Sequence, residues 1–168
     1  MERNRSPRRR RRNRVSSLND LLDQLKSPHV HFRVRAAKEL GEAGDPAAVP
    51  ALIAALKDES HIVRDNAAFS LGLLKAVSAL EALLPLLSDA HPWVRKSVAK
   101  ALGMIGHKGA VSALMAALED VEVMVRRSAA RSLGQIGDPS AAPALRQAMA
   151  DSSALVKEMA RKALETLK

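Results

Sequence analysis

One period governs the chain. Val63-Arg64-Asp65-Asn66-Ala67-Ala68-Phe69-Ser70-Leu71-Gly72 recurs as Val94-Arg95 to Leu102-Gly103, and again as Val125-Arg126 to Leu133-Gly134. Both steps are 31 residues. The same step backward reaches Phe32-Arg33, Ala36-Ala37 and Leu40-Gly41. Forward it reaches Val156-Lys157, Ala160 and Leu164. A second segment shares the period: Ala51-Leu52 with Leu56 and Asp58, then Ala82-Leu83, Ala113-Leu114 and Ala144-Leu145, each followed by Asp89, Asp120 or Asp151. Leu18, Leu21 and Leu25 lie one period before the first of these.

Both segments carry helical spacing. Val94, Val98, Ala101, Leu102 and Ile105 fall at i, i+4, i+7, i+8 and i+11, and Ala110, Ala113, Leu114, Ala117 and Leu118 follow suit. Gly-Asp-Pro at 44–46 and 137–139 breaks one helix and opens the next, and His91-Pro92 opens another. Thirty alanines and 23 leucines, with only three aromatic residues, favour closely packed helices and argue against an all-β fold. A pair of helices this short cannot bury its apolar face alone, whereas stacked copies bury it jointly. The fold expected is all-α: a right-handed α-solenoid of 31-residue helix pairs, ten helices in all. Its expected parts are a half repeat at 17–26 and first-type helices near 30–43, 61–74, 92–105, 123–136 and 154–167. Gly41, Gly72, Gly103 and Gly134 are expected to end or bend the first-type helices where the chain turns. Lys75-Ala76-Val77 replaces Gly-Asp-Pro in the second copy and Pro85 interrupts its second helix, so that pair is expected to be kinked.

The pattern V-R-x-x-A-A-x-A-L-G-x-I-G-D-P resembles the HEAT-like repeat of the phycobilin-lyase type, across residues 17–168. That resemblance implies a solenoid used in bilin lyases and in many scaffold and regulatory proteins.

Charge divides the chain differently. Residues 1–14 carry eight arginines and one glutamate, and the remainder is close to neutral. Residues 1–15 are expected to be a disordered arm, because like charges at this density oppose compaction, leaving 16–168 as the solenoid. A polar, acidic stretch follows the arginines, so no secretory leader is expected. With no cysteine and no transmembrane stretch either, a cytoplasmic protein without integral membrane association is expected.

No catalytic, metal or cofactor site is expected. Thiol chemistry is excluded with cysteine, and no nucleophile triad, phosphate loop or carboxylate pair stands out. The di-iron HEAT-like hydroxylases pair His with Glu, and this chain has no His-Glu dipeptide. His29, His31, His61, His91 and His107 suit helix ends. Asp58, Asp89, Asp120 and Asp151, each followed shortly by Arg64, Arg95, Arg126 or Lys157, read as a structural ladder that caps helix starts and links repeats.

Repeated positions build the solenoid, so non-repeated ones on the first-type helices are free for a partner. In the resembling family this face is the concave one. Ile62, Trp93, Met124 and Leu155 form an apolar row. Lys38, Lys100, Arg131 and Lys162 form a basic row with Lys96 and Arg127 beside it, and Phe69 and Met104 interleave. Such a strip suits an amphipathic or acidic protein segment with Trp93 as anchor. The expected function is a non-enzymatic scaffold for a protein partner. The alternatives are polyanion or nucleic-acid binding through Arg3, Arg5, Arg8, Arg9, Arg10, Arg11, Arg12 and Arg14 plus the basic row, or a bilin-lyase-like subunit.

Overall fold

The computed structural model describes residues 17–167, and the arginine-rich segment with its expected disorder lies outside them. Within them are ten α-helices and no strand. Five are long: α2 (Val30–Ala43), α4 (His61–Leu73), α6 (Pro92–Ile105), α8 (Val123–Ile136) and α10 (Ala154–Thr166). Five are short: α1 (Leu18–Gln24), α3 (Val49–Ala55), α5 (Leu80–Leu83), α7 (Val111–Ala116) and α9 (Ala142–Ala148). The long helices stack in order, each on the next, and the short ones pack as a second layer. This is an α-solenoid. No described helix is long and apolar enough to cross a membrane.

The core repeats as the sequence does. Leu40, Leu71, Leu102 and Leu133 on the long helices, and Leu52, Leu83, Leu114 and Leu145 on the short ones, are fully buried. Each such leucine removed from water contributes roughly 1.5–3 kcal/mol. Ala36, Ala37, Ala67, Ala68, Ala99, Ala129, Ala130 and Ala160 are also fully buried, and their small side chains let adjacent long helices approach closely.

The glycines divide into two roles, and the expectation for one set is corrected. Gly41, Gly72, Gly103 and Gly134 do not end their helices; they lie inside them. Each faces the following long helix at close range. A Cβ on Gly72 would fall 2.7 Å from Ala101 Cα, and one on Gly134 would fall 2.8 Å from Ala163 Cα. The helix ends belong to Gly44, Gly106 and Gly137, which adopt the left-handed conformation at φ 72°, 73° and 72°. In the second copy Lys75 takes that conformation at φ 49°. There α5 is only four residues long and gives way to a 3₁₀ stretch, Leu84–Ser88, containing Pro85.

Past each left-handed glycine, a side chain starts the short-helix segment. Asp45 accepts from the N–H of Ala47, Asp138 from that of Ser140, and His107 Nδ1 from that of Gly109. Proline at 46 and 139 then occupies a first-turn position where its missing N–H costs nothing.

Candidate functional site

Arginine clasps hold the repeats in register. Arg95 Nε and Nη2 donate to the two Asp120 oxygens at 2.7 and 2.9 Å, while Nη1 donates to the carbonyl of Asp89 at 2.9 Å. Arg33–Asp58, Arg64–Asp89 and Arg126–Asp151 repeat this two-pronged geometry. Each arginine thus reaches the aspartate 25 residues ahead, not the one that precedes it, and takes only a backbone carbonyl from the latter. The aspartates also accept the backbone N–H two residues on: Ser60, His91, Glu122 and Ser153, each an N-cap residue. Burial by itself would push the Asp120 carboxyl up, but the Arg95 guanidinium and the Glu122 N–H hold it below its usual range. The same balance lowers Asp58 and Asp89. Ser27 stands one period before Asp58, and its carbonyl accepts from Arg33 Nη1. These acids are fastened to structure.

The long helices present their other side to solvent. Ile62, Trp93 and Leu155 are 46%, 49% and 58% exposed, and Met124 in the same row is half-buried. The basic positions interleave with aromatic rings. Lys96 Nζ sits 4.4 Å from the Trp93 ring centroid, and Lys100 Nζ sits 4.7 Å from that of Phe69. At such range the quadrupole of the ring attracts the ammonium and fixes its place.

Two adjacent depressions open along this face. One of about 180 Å³ lies between α6 and α8, lined by Lys96, Lys100, Met124, Arg127, Ser128 and Arg131. The other, of about 290 Å³, lies between α8 and α10 and includes Arg131, Gln135, Met159, Lys162 and Thr166. Arg131 is the wall between them. Among the described residues, Lys96, Lys100, Arg127 and Arg131 have no ion pair. Lys100 is pushed below the usual lysine range by burial and then by repulsion from Lys96 and Arg131.

Other face positions are committed elsewhere. Lys162 pairs with Glu158 at 3.2 Å and Lys38 with Glu42 at 3.7 Å. Asn66 and Ser128 donate back to the carbonyls of Ile62 and Met124 on their own helices, and Ser97 is buried. Met104 sits over Gly72 of the preceding long helix, Gln135 over Gly103 and Thr166 over Gly134. Met104 therefore packs between repeats, and Gly72, Gly103 and Gly134 leave room for this row.

The sequence reading missed the opposite edge. Two wider openings, of about 650 and 460 Å³, run beside the clasps and are bordered by Asp120 in both cases. Their apolar residues, such as Leu87 and Ala113, occupy repeated positions and carry no signal of exposure. His61 and His91 stack at 3.6 Å between ring centroids, and His29 and His31 group with Phe32. Among the described residues no group of three or more His, Asp or Glu is placed to hold a metal ion. Arg3, Arg5, Arg8 to Arg12 and Arg14 lie outside the described residues.

A family model described as HEAT repeats matches residues 18–88 and 80–165. Among solved structures, that of the complex of CpcE and CpcF of phycocyanin lyase from Nostoc sp. PCC7120 is similar, with a TM-score of 0.84 and 27% identity over 100% of this chain and 70% of that one. A designed armadillo repeat protein in complex with the peptide (KR)4 is 21% identical, with a TM-score of 0.74 over 90% of this chain and 82% of that one. Computationally designed armadillo repeat proteins for modular peptide recognition are 20% identical, with a TM-score of 0.67 over the same shares. These two designs share the fold alone. A search of curated protein sequences finds no match.

Proposed function

Because the chain belongs to the HEAT repeat family, we propose that it is a non-enzymatic scaffold that docks a segment of another protein along the exposed face of its long helices. The observation that carries this reading is the meeting, on one face, of exposed apolar side chains with cations that form no ion pair among the described residues. Ile62, Trp93 and Leu155 stand beside Lys96, Lys100, Arg127 and Arg131. Tryptophan, methionine and arginine are the residue types that anchor interfaces. Trp93 supplies the apolar anchor, and the cations select an acidic or amphipathic partner and speed its arrival.

The test is a variant with Trp93→Ala, Lys100→Ala and Arg131→Ala together. The partner is first isolated by affinity capture on the native chain and then purified for titration. The reading expects binding to weaken at least about 100-fold while helicity is unchanged and melting stays cooperative. Equal affinity of native and variant protein would sink it.

Likeness to the phycocyanin lyase subunits across the whole chain favours a second reading, a subunit that assists a bilin lyase. Stoichiometric bilin absorbance in protein purified from a bilin-producing host would put that reading first. Nucleic-acid binding through the N-terminal arginines and the basic row is weighed down by Trp93 and Phe69. Both rings already hold ammonium groups over their faces, where a base would have to stack.

A further inference from the structure

We infer that the depression between α6 and α8 recognises a phosphomonoester dianion, a phosphoserine or phosphothreonine side chain of the docked segment. This rests on the reading that the face binds a protein.

The basis is a two-by-two array of cations. Lys96 and Lys100 stand at i and i+4 on α6, and Arg127 and Arg131 stand at the same register one repeat later on α8. Residues four apart on a helix have Cβ atoms about 5–6 Å apart, and neighbouring helix axes lie about 8–10 Å apart. Lys96, Lys100, Arg127 and Arg131 therefore line one small space together with Met124 and Ser128, with the Lys100 ammonium drawn towards Phe69 of α4. The Ser128 hydroxyl donates to the Met124 carbonyl, so the cations do the recognising. Asp65 on α4 attracts Lys100, and Glu158 on α10 is engaged by Arg161 and Lys162.

Three features choose the ligand. Repulsion of Lys100 by Lys96 and by Arg131 outweighs its attraction to Asp65, so an anion that enters relieves a repulsion already present. A phosphomonoester brings up to two charges and three oxygens, enough to accept from two guanidinium forks and an ammonium; a carboxylate brings one charge and two oxygens. The space, about 180 Å³, is smaller than the roughly 300 Å³ at which small-molecule pockets begin, so it takes a group and not a nucleotide. The Trp93 ring, on the same helix, restrains the Lys96 ammonium, which lowers the ordering cost of binding.

Trp93 is the only tryptophan of the chain, and Lys96 of the depression lies over its ring, so its emission reports on this site. The full chain is titrated, in phosphate-free buffer at fixed ionic strength, with one neutral pentapeptide carrying phosphoserine, glutamate or serine at its centre. A single-stranded oligonucleotide forms a fourth arm. The Nε–H resonances of Arg127 and Arg131 are followed in parallel by NMR.

The phosphoserine peptide is expected to give a saturable change at a concentration at least tenfold below the glutamate peptide. Arg127→Ala with Arg131→Ala should weaken it at least tenfold, and Arg127→Lys with Arg131→Lys by an intermediate factor. Arg146→Ala, on the short helix α9 and outside the depression, should not alter it. Equal binding of the glutamate peptide, a response to the oligonucleotide at lower concentration, or no saturable change in either signal would overturn the inference. If the phosphopeptide fails while partner binding still depends on Trp93, Lys100 and Arg131, this inference falls and the proposed function stands. If partner binding ignores those residues, both fall.

Discussion

Arg95 and Asp120, 25 residues apart, meet through two parallel hydrogen bonds of 2.7 and 2.9 Å that tie the start of one long helix to the loop before the next. The bond is local in space, crosses the repeat boundary, and recurs at Arg33, Arg64 and Arg126.

Removing one clasp leaves a poorly solvated carboxylate without its partner. Arg95→Ala is therefore expected to lower stability by roughly 2–3 kcal/mol. Arg161→Ala, whose partners Glu158 and Glu165 are exposed, should cost much less, because solvent screens its pairs. Urea unfolding of both variants checks the contrast, and equal losses would contradict it.

Acid should unfasten the clasps. Asp58, Asp89, Asp120 and Asp151 are all held below their ordinary range. A carboxylate whose folded pKa lies below its unfolded value stabilises fully above the unfolded value, about pH 4, and loses that stabilisation as pH falls through the folded value. Melting temperature should hold between about pH 7 and 5 and drop steeply below about 4. In Arg95→Ala the drop should be shallower, and an equal slope in both proteins would show that Asp120 takes no part.

Backbone conformation gives an opposed pair of substitutions. Lys75 holds φ at 49°, which costs a non-glycine residue about 1–2 kcal/mol. Lys75→Gly should stabilise by up to about 1 kcal/mol after the added freedom of the unfolded chain is counted. Gly72→Ala, three residues earlier, should destabilise by roughly 1–3 kcal/mol despite better helix propensity, because the new Cβ meets the Ala101 backbone. Thermal melts of the two variants should move in opposite directions.

These two glycine classes mark where the sequence could be read and where it could not. The 31-residue period exposed the ten helices, the leucine core and the aspartate–arginine series, because repetition reports shared constraint. It did not separate Gly44 from Gly41. Both stand near a helix end, and only the packing of the following helix shows that Gly41 receives Ser70 while Gly44 turns the chain. The exposed face was legible as the set of positions that do not repeat. Commitments within it were not: Met104 looked as free as Trp93, yet it fills the space above Gly72. Pairing of Lys162 with Glu158, and its absence at Arg127, also depends on side-chain reach that spacing alone leaves undetermined.

Lys100 exemplifies a residue held against stability. Its charge is disfavoured by burial and by Lys96 and Arg131, so its folded pKa lies below the unfolded one. The charged form then burdens the native state at neutral pH, and the burden lifts as pH rises through the folded value. Lys100→Met, which keeps an apolar contact with Phe69, should raise the melting temperature at pH 7 by a degree or more, roughly. The gap should narrow towards pH 10. A variant less stable than the native chain at pH 7 would contradict this.

The clasps also determine how the molecule would answer a pull on its two ends. They lie one after another along the solenoid, so tension loads them in series and the weakest yields first. Extension should then proceed in steps, each releasing about one 31-residue repeat and lengthening the chain by on the order of 100 Å. The copy holding Lys75 and the four-residue α5, with the fewest helical turns to resist, is the place where such a fibre would begin to give.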